Sequence, residues 1–500
     1  MAGTVPLLIL WLAQMCGALP VSNHVNIAPS ALNSTISLRL AASANLDQND
    51  ACSDFDHCRS LASIVTSCLG TIFACVWVAV HKNIPGPKQS WISVQVESLK
   101  VVLMTLLVPE WVLAWAVRQF LRAQQIATEL EKVRLDPIKG GGGGDNGSVG
   151  DDERGGGNER DDHHETRLLD RHPNSESVAE QPPFAVELWD LEKKLGRTDQ
   201  SWTIVHGFFI IMGGFHYYRD GEPMWPIPFT ADRTGTEYRH KDVLTLVKSR
   251  SLVPPTVEEL GDRSKGDTLS KAVAVCQTLW FVTQCIARRA QGMVVTNLEI
   301  MTLAYTVITV AMYAAWWHKP LNVRCPVRIV GNLPREEQKY QFAWTDTIDY
   351  VIGERDYWIT LHTQDRVPTF WSDCFSNNGN IPFHADVIAL SVAMVFGAIH
   401  CAAWSYTFPS LAEKTSWRAS ALAISVIPIP MVAALALFDP FSATVGTNFF
   451  DRIVIFCMGL CGLLYIIARI ILLTISFTTL RHLPLSAFQT VQWTTFVPHI

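Results

Sequence analysis

The chain has 500 residues, 49% of them hydrophobic and only 17% charged, with a formal net charge of −6 and a mean hydropathy of +0.17. A soluble domain carries about a quarter charged residues, so scarce and unevenly placed charge points to the lipid bilayer as the chain's partner. The mild acidity comes largely from one loop and implies no nucleic-acid partner.

In chain order, residues 1–18 read as a secretory signal. Val5–Trp11 is a short apolar core, and Cys16 and Ala18 occupy the small-residue positions before a cleavage site. An uncleaved anchor helix is the other reading. Residues 19–60 then form a lumenal segment, with Asn33 in a glycosylation sequon and Cys52 and Cys58 placed for a local disulfide. Most of the twelve cysteines lie inside apolar runs, where thiols act as small packing groups.

About eight apolar runs follow, each near the length of a membrane-spanning helix. They lie at Leu61–Val80, Leu99–Val117, Trp202–Tyr218, Leu269–Ala287, Val294–Trp316, Val387–Tyr406, Ala419–Phe438 and Ile453–Phe477. The predicted fold is an all-α, polytopic transmembrane helix bundle, because in lipid a run of this length satisfies its backbone only as a helix. Residues 61–120 hold the first two spans, 201–317 the next three with a polar loop at 219–267, and 386–477 the last three. Residues 121–200 read as a disordered loop around the Gly/Asp-rich run Lys139–Asp162, which contains a second sequon at Asn146. Residues 318–385 read as a polar and aromatic segment lying on the membrane surface, and 478–500 as a short tail. Trp202, Trp316, Trp317 and Trp404 fall at span ends, as interfacial belts require. Counting alternate crossings from a cleaved signal puts Asn146 outside, whereas Arg118, Arg122, Lys132 and Arg134 favour the cytosol for the same loop.

Ionisable groups inside spans carry the functional candidates. Glu110 follows Pro109 midway along the second run and reads either as a proton or cation site or as a structural carboxylate paired with Arg469. The fourth run carries Ser270, Gln277, Gln284 and Gln291 on one helical face, with Arg288 one turn beyond Gln284. The fifth carries Glu299, Thr302, Thr306, Thr309 and Tyr313 on one face. Two facing stripes would line a hydrated path; the alternative is hydrogen-bonded glue between helices. His206 and His400 are the candidate bases of a membrane-embedded acyl- or lipid-transfer enzyme. Pro428 and Pro430 predict a kink in the seventh run. The chain shows no zinc-ligand spacing, nucleophile elbow or phosphate-binding loop, so no cofactor is expected.

Several stretches go beyond generic membrane character. They are Pro109-Glu110 with Trp115–Gln119, His206–Phe209 with Met212–Phe215, and Asp262–Asp267 with Leu269–Lys271. Gln277 to Arg288, Trp316-Trp317-His318-Lys319-Pro320 and the ending Thr494–Ile500 complete the set. Together they resemble a large uncharacterised family of polytopic membrane proteins from filamentous and mushroom-forming fungi. The resemblance implies no activity. It covers most of the chain from about Cys52, apart from the Gly-rich loop.

Overall fold

The computed structural model describes residues 58–135, 194, 200–230, 242–264, 268–330, 356, 359, 361–374, 381–445 and 448–493. The signal segment, Asn33, Cys52 and the Gly/Asp run with Asn146 lie outside these residues.

Ser60 starts α1 (Leu61–Ala79) by accepting from the Ser63 amide at 3.1 Å. Ser90 does the same for α2 (Trp91–Leu107). Pro109 has no N–H and disfavours helical geometry at Val108, which takes φ −139° and ψ 63°. The helix therefore restarts as α3 (Pro109–Leu135), bent by 113° from α2. The second expected span, Leu99–Val117, is thus two helices meeting at a sharp break. α3 also runs well into the stretch expected to be disordered. Arg122, Ala123, Ile126, Ala127 and Leu130 recur at helical spacing on its buried face and keep it packed to the end.

The third expected span, Trp202–Tyr218, is not one helix. α4 (Ile204–Ile211) lasts only two turns and ends at Gly213, whose φ of +86° suits glycine. The aromatic segment after it becomes β1 (Phe215–Arg219), which pairs antiparallel with β2 (Glu222–Pro226) and parallel with β3 (Val327–Val330), in the order β2-β1-β3. Apolar content alone does not separate such a strand from a membrane helix. Two short helices, α5 (Val243–Lys248) and α6 (Val257–Arg263), follow the sheet strands β1 and β2. The expected capping box at Thr256 and Glu259 starts α6.

The remaining helices are α7 (Thr268–Ala290), α8 (Asn297–Ala315), α9 (Ile381–His400), α10 (Leu411–Val426), α11 (Pro428–Val445) and α12 (Asn448–Thr478). α10 and α11 are separated only at Ile427, and Leu411–Ala436 counts as one apolar run. Among the described residues, five helical runs are long and apolar enough to cross a membrane, or six if the bent α2–α3 pair counts as one. The faces they turn outward are apolar. On α12, Phe456, Leu460, Leu463, Ile467, Ile470 and Phe477 are exposed, while Tyr465, Ala468, Arg469, Leu472 and Ser476 are buried. This inversion of the usual surface is what a helix facing lipid requires.

Contacts define two ends of the bundle. At one end Arg59, just before α1, meets Glu299 in the first turn of α8. Thr479, after α12, meets Asn297 there, and Glu413 of α10 accepts from Thr478. At the other end Lys319, after α8, meets the His81 carbonyl after α1. Ser264, four residues before α7, accepts from the Leu321 amide at the Lys319 end, and Arg288 near the end of α7 donates to the Gln489 carbonyl at the Arg59 end, so α7 runs from one end to the other. α2 and α3 do not. Glu97 near the start of α2 binds Arg366 and Thr369, Gln119 of α3 binds Asn83 and Lys319, and all lie at the Lys319 end. The α2–α3 break instead touches Tyr305, about 12 Å along α8 from its start. The pair enters to mid-depth and returns.

Two aromatic and loop expectations change. Trp202 and Trp316 are buried in the core, and only Trp317 and Trp404 are exposed as interfacial residues. Trp371, Ser372, Asp373 and Cys374 are buried too, so this part of the 318–385 segment is packed under α3 and does not lie on the surface.

The closest helix approach occurs at Gly207, where an added Cβ would lie 2.1 Å from the Ala123 carbonyl oxygen of α3. Gly207→Ala is expected to destabilise the detergent-purified protein by about 3 kcal/mol or more, read from thermal unfolding. Gly261→Ala, whose Cβ meets nothing within 4 Å, should stay within about 0.5 kcal/mol of wild type. Equal melting of the two variants would contradict the packing described.

Candidate functional site

The tip of the α2–α3 pair places Glu110 in the first turn of α3, buried at mid-depth. Its Oε1 accepts from the Tyr465 hydroxyl at 2.6 Å and lies 3.9 Å from Arg469 Nη1. Arg469, also buried, donates through Nη2 to the Tyr305 hydroxyl at 2.9 Å and to the Leu106 carbonyl at 3.3 Å. Its guanidinium sits 4.0 Å from the centre of the Phe396 ring. Tyr305 donates to the same Leu106 carbonyl. The cluster therefore joins the tip to α8, α9 and α12, and it pairs the two residues that the sequence reading set together. The pairing is incomplete, because Glu110 Oε2 and Arg469 Nη1 are buried without a hydrogen-bond partner. Such atoms are rare and costly enough to need a reason.

The other expected path residues are dispersed. Glu299 lies at the Arg59 end, paired with Arg59 at 2.5 Å and closing a capping box with Thr296. Gln277 donates to Thr71 of α1 at 3.2 Å. Gln284 is half-buried and makes no hydrogen bond among the described residues. The stripes on α7 and α8 thus turn toward α1, not toward each other around a cavity. Arg288 spends its guanidinium on the carbonyls of Val294, Ser486, Ala487 and Gln489, at 2.6–3.3 Å. With Arg59, which binds the Ala487 carbonyl and donates its amide to Phe488, it straps the segment after α12 across the bundle end. Gln291 with Gln492 and Trp280 stacked on Trp493 extend the strap along α7.

Both candidate bases are engaged in hydrogen bonds. His206 Nδ1 accepts from the Thr203 amide at 3.0 Å, so Nε2 carries the proton and donates to the Pro255 carbonyl at 2.7 Å. Burial pulls its pKa down, keeping the ring neutral. His400 is fully buried, with Nδ1 on the Phe396 carbonyl at 2.8 Å and Nε2 3.3 Å from Met301 Sδ. Neither ring has a carboxylate partner among these contacts.

A second polar centre went unpredicted. Lys319 is buried, and its ammonium donates to the His81 carbonyl (2.5 Å), Gln119 Oε1 (2.8 Å) and Asn83 Oδ1 (3.3 Å). It also lies 4.9 and 5.0 Å from the Trp115 and Trp316 rings. Burial draws its pKa well below the usual lysine value, while three acceptors and two indole faces favour the charged form. Gln119 is the hub: its Oε1 also accepts from Trp316 Nε1, and its Nε2 donates to Asn83 and to the Trp371 carbonyl. Around it Arg118 pairs with Asp386 and Arg122 with Asp373 at 3.1 Å. The available signal was the recurrence of Trp115, Gln119, Trp316 and Lys319 in the stretches that carry the family resemblance.

Residues 32–143, 185–337 and 333–500 match a family of unknown function (DUF8562). The chain belongs to that family. Residues 144–184, which hold much of the Gly/Asp-rich run, fall between the first two matched segments. No curated protein and no solved structure matches the chain.

Lys319→Met removes a buried cation and takes one donor from each of three acceptors, of which Gln119 Oε1 and Asn83 Oδ1 keep another, at an expected cost of about 3 kcal/mol. Gln119→Leu should cost a similar amount, and the double variant much less than the sum. Additive losses of melting temperature would show that the two side chains do not share one network.

Proposed function

We propose that this family member is a multi-pass integral membrane protein of the secretory pathway and a proton-linked transporter centred on Glu110 and Arg469. The wider family reads, on the motifs given above, as fungal polytopic membrane proteins. The observation that carries the transport reading is the tip itself. A helix is broken at mid-depth, and beside the break a carboxylate and a guanidinium each keep an unsatisfied atom. Irregular backbone at that depth is tolerated only where protein buries it or water reaches it. Broken helices whose N-termini reach the midplane recur at transport sites, and intramembrane ionisable groups mark ion and proton routes. Tight pairing with Tyr465 and Tyr305 favours the competing reading of a structural lock.

Reconstituted protein in vesicles loaded with a pH-sensitive dye tests this. Under an imposed membrane potential, wild type should acidify or alkalinise the lumen faster than empty vesicles, and Glu110→Gln should slow that flux about tenfold, a rise of about 1.4 kcal/mol in the barrier. Gln277→Leu should leave it unchanged. Wild-type flux equal to that of empty vesicles would sink the transport reading, and an altered melting temperature without altered flux would favour the lock.

Topology follows the same geometry. The five apolar helical runs together with α7 make six crossings, while α2–α3 re-enters from the Lys319 end. Arg118, Arg122, Lys132, Arg134, Lys248 and Arg250 all lie toward that end, which makes it cytosolic by the positive-inside rule. The segment before α1 is then lumenal, so the signal and the charge rule agree once the pair is re-entrant. Glycosidase treatment should therefore shorten wild type and Asn146→Gln alike but leave Asn33→Gln unshifted. The reverse pattern would place the Lys319 end in the lumen.

A further inference from the structure

We propose that a cleft at the Arg59 end binds an uncharged polyhydroxyl group, the sugar headgroup of a glycolipid or the corresponding free sugar. The cleft, of about 240 Å³, lies where the start of α8, the loop between α9 and α10, and the end of α12 converge. Its floor is Thr296, Asn297 and Thr479, all buried, and Ser405, Thr407 and His482 form its walls.

The donor and acceptor pattern defines the ligand. Asn297 donates its side-chain amide to Thr479 Oγ1 at 3.3 Å, which leaves its Oδ1 to accept. Thr296 and Glu299 satisfy one another through the capping box, while the first amides of α8, at Asn297 and Leu298, have no intrahelical acceptor. The wall hydroxyls of Ser405 and Thr407 each donate and accept. No Asp, Glu, Lys or Arg lines the cleft, and the nearby Glu299 is already neutralised by Arg59 at 2.5 Å. A phosphate or carboxylate would find no Lys or Arg in the lining, only the imidazole of His482, and an ammonium would find no carboxylate. Adjacent hydroxyl groups, each able to donate and accept, match a lining of mixed neutral donors and acceptors.

The setting favours a headgroup. Leu411, Leu485 and Trp404 are exposed near the cleft, at the level where aromatic and apolar residues meet the bilayer surface. A ligand seated between α8, α9 and α12 would brace the same three helices that clamp the α2–α3 tip, yet the cleft and the tip are separate and fail separately.

The test uses the full chain in phosphatidylcholine nanodiscs, with glucosylceramide or free glucose as probes. Wild type is expected to enrich glucosylceramide over bulk lipid about tenfold, equivalent to about 1.4 kcal/mol, and to melt at a higher temperature with it. Thr407→Trp fills the cleft from an exposed wall position and should abolish both effects while eluting as folded protein. Asn297→Leu should do the same if it folds. Stabilisation by glucose as well as by the lipid assigns the soluble sugar as a ligand; stabilisation by the lipid alone assigns the headgroup. If neither probe differs from phosphatidylcholine alone, or folded Thr407→Trp binds as wild type does, the proposal is wrong.

Discussion

Backbone hydrogen bonding at mid-depth is the constraint on which the arrangement of this bundle depends. Pro109 cannot donate to Thr105, and the change of direction after Leu107 takes the Leu106 carbonyl out of the helical ladder. In lipid that oxygen has no water to turn to. Tyr305 and Arg469 both donate to it, which fixes α8 and α12 against the tip. Arg469 in turn needs a counter-charge and an aromatic neighbour, and Glu110 and Phe396 are the groups placed there. One broken helix thus dictates the positions of three intact ones.

The Lys319 centre meets the same kind of demand by different means. A lone buried ammonium is costly, and here no carboxylate is among its contacts. Carbonyl and amide oxygens from the chain after α1 and from α3 receive its protons, and two indoles cover it. The segment around Trp371 closes the arrangement by accepting from both Trp115 and Gln119. Phe370 and Asp373 beside it hold φ of 65° and 57°, a strained geometry for residues with a Cβ, and the buried Arg122–Asp373 pair helps to hold it.

Much of the membrane architecture could be read from the sequence, because apolar length and helical repetition are local properties. The pairing of Glu110 with Arg469 could be named from charge balance alone. What could not be read depended on direction or on distant chain. Trp202–Tyr218 is as apolar as a span, and the turn at Gly213 that divides it into α4 and β1 leaves no mark in hydropathy. The polar stripes of α7 and α8 were real, but periodicity does not say which neighbour a face meets, and both face α1. Nothing local to Lys319 marks it as buried, because its acceptors come from residues 81, 83 and 119, far away along the chain. His206 and His400 illustrate the converse: a histidine in an apolar run is more often a satisfied packing group than a base.

The strap at the Arg59 end has a consequence for biogenesis. Arg59 sits one residue before the Ser60 cap of α1, yet it is fastened to the Ala487 carbonyl across a separation of 428 residues. During synthesis the start of the first crossing therefore stays unfastened while every later helix is inserted. Arg288 waits in the same way for the Ala487 and Gln489 carbonyls, whereas Glu299 finds Arg59 already made. A chain truncated between the end of α12 at Thr478 and this strap would keep every helix but leave Arg288 without the Ser486, Ala487 and Gln489 carbonyls that it binds. Such a product would carry its own mark for quality control: exposed guanidinium charge at the Arg59 end of an otherwise complete set of helices.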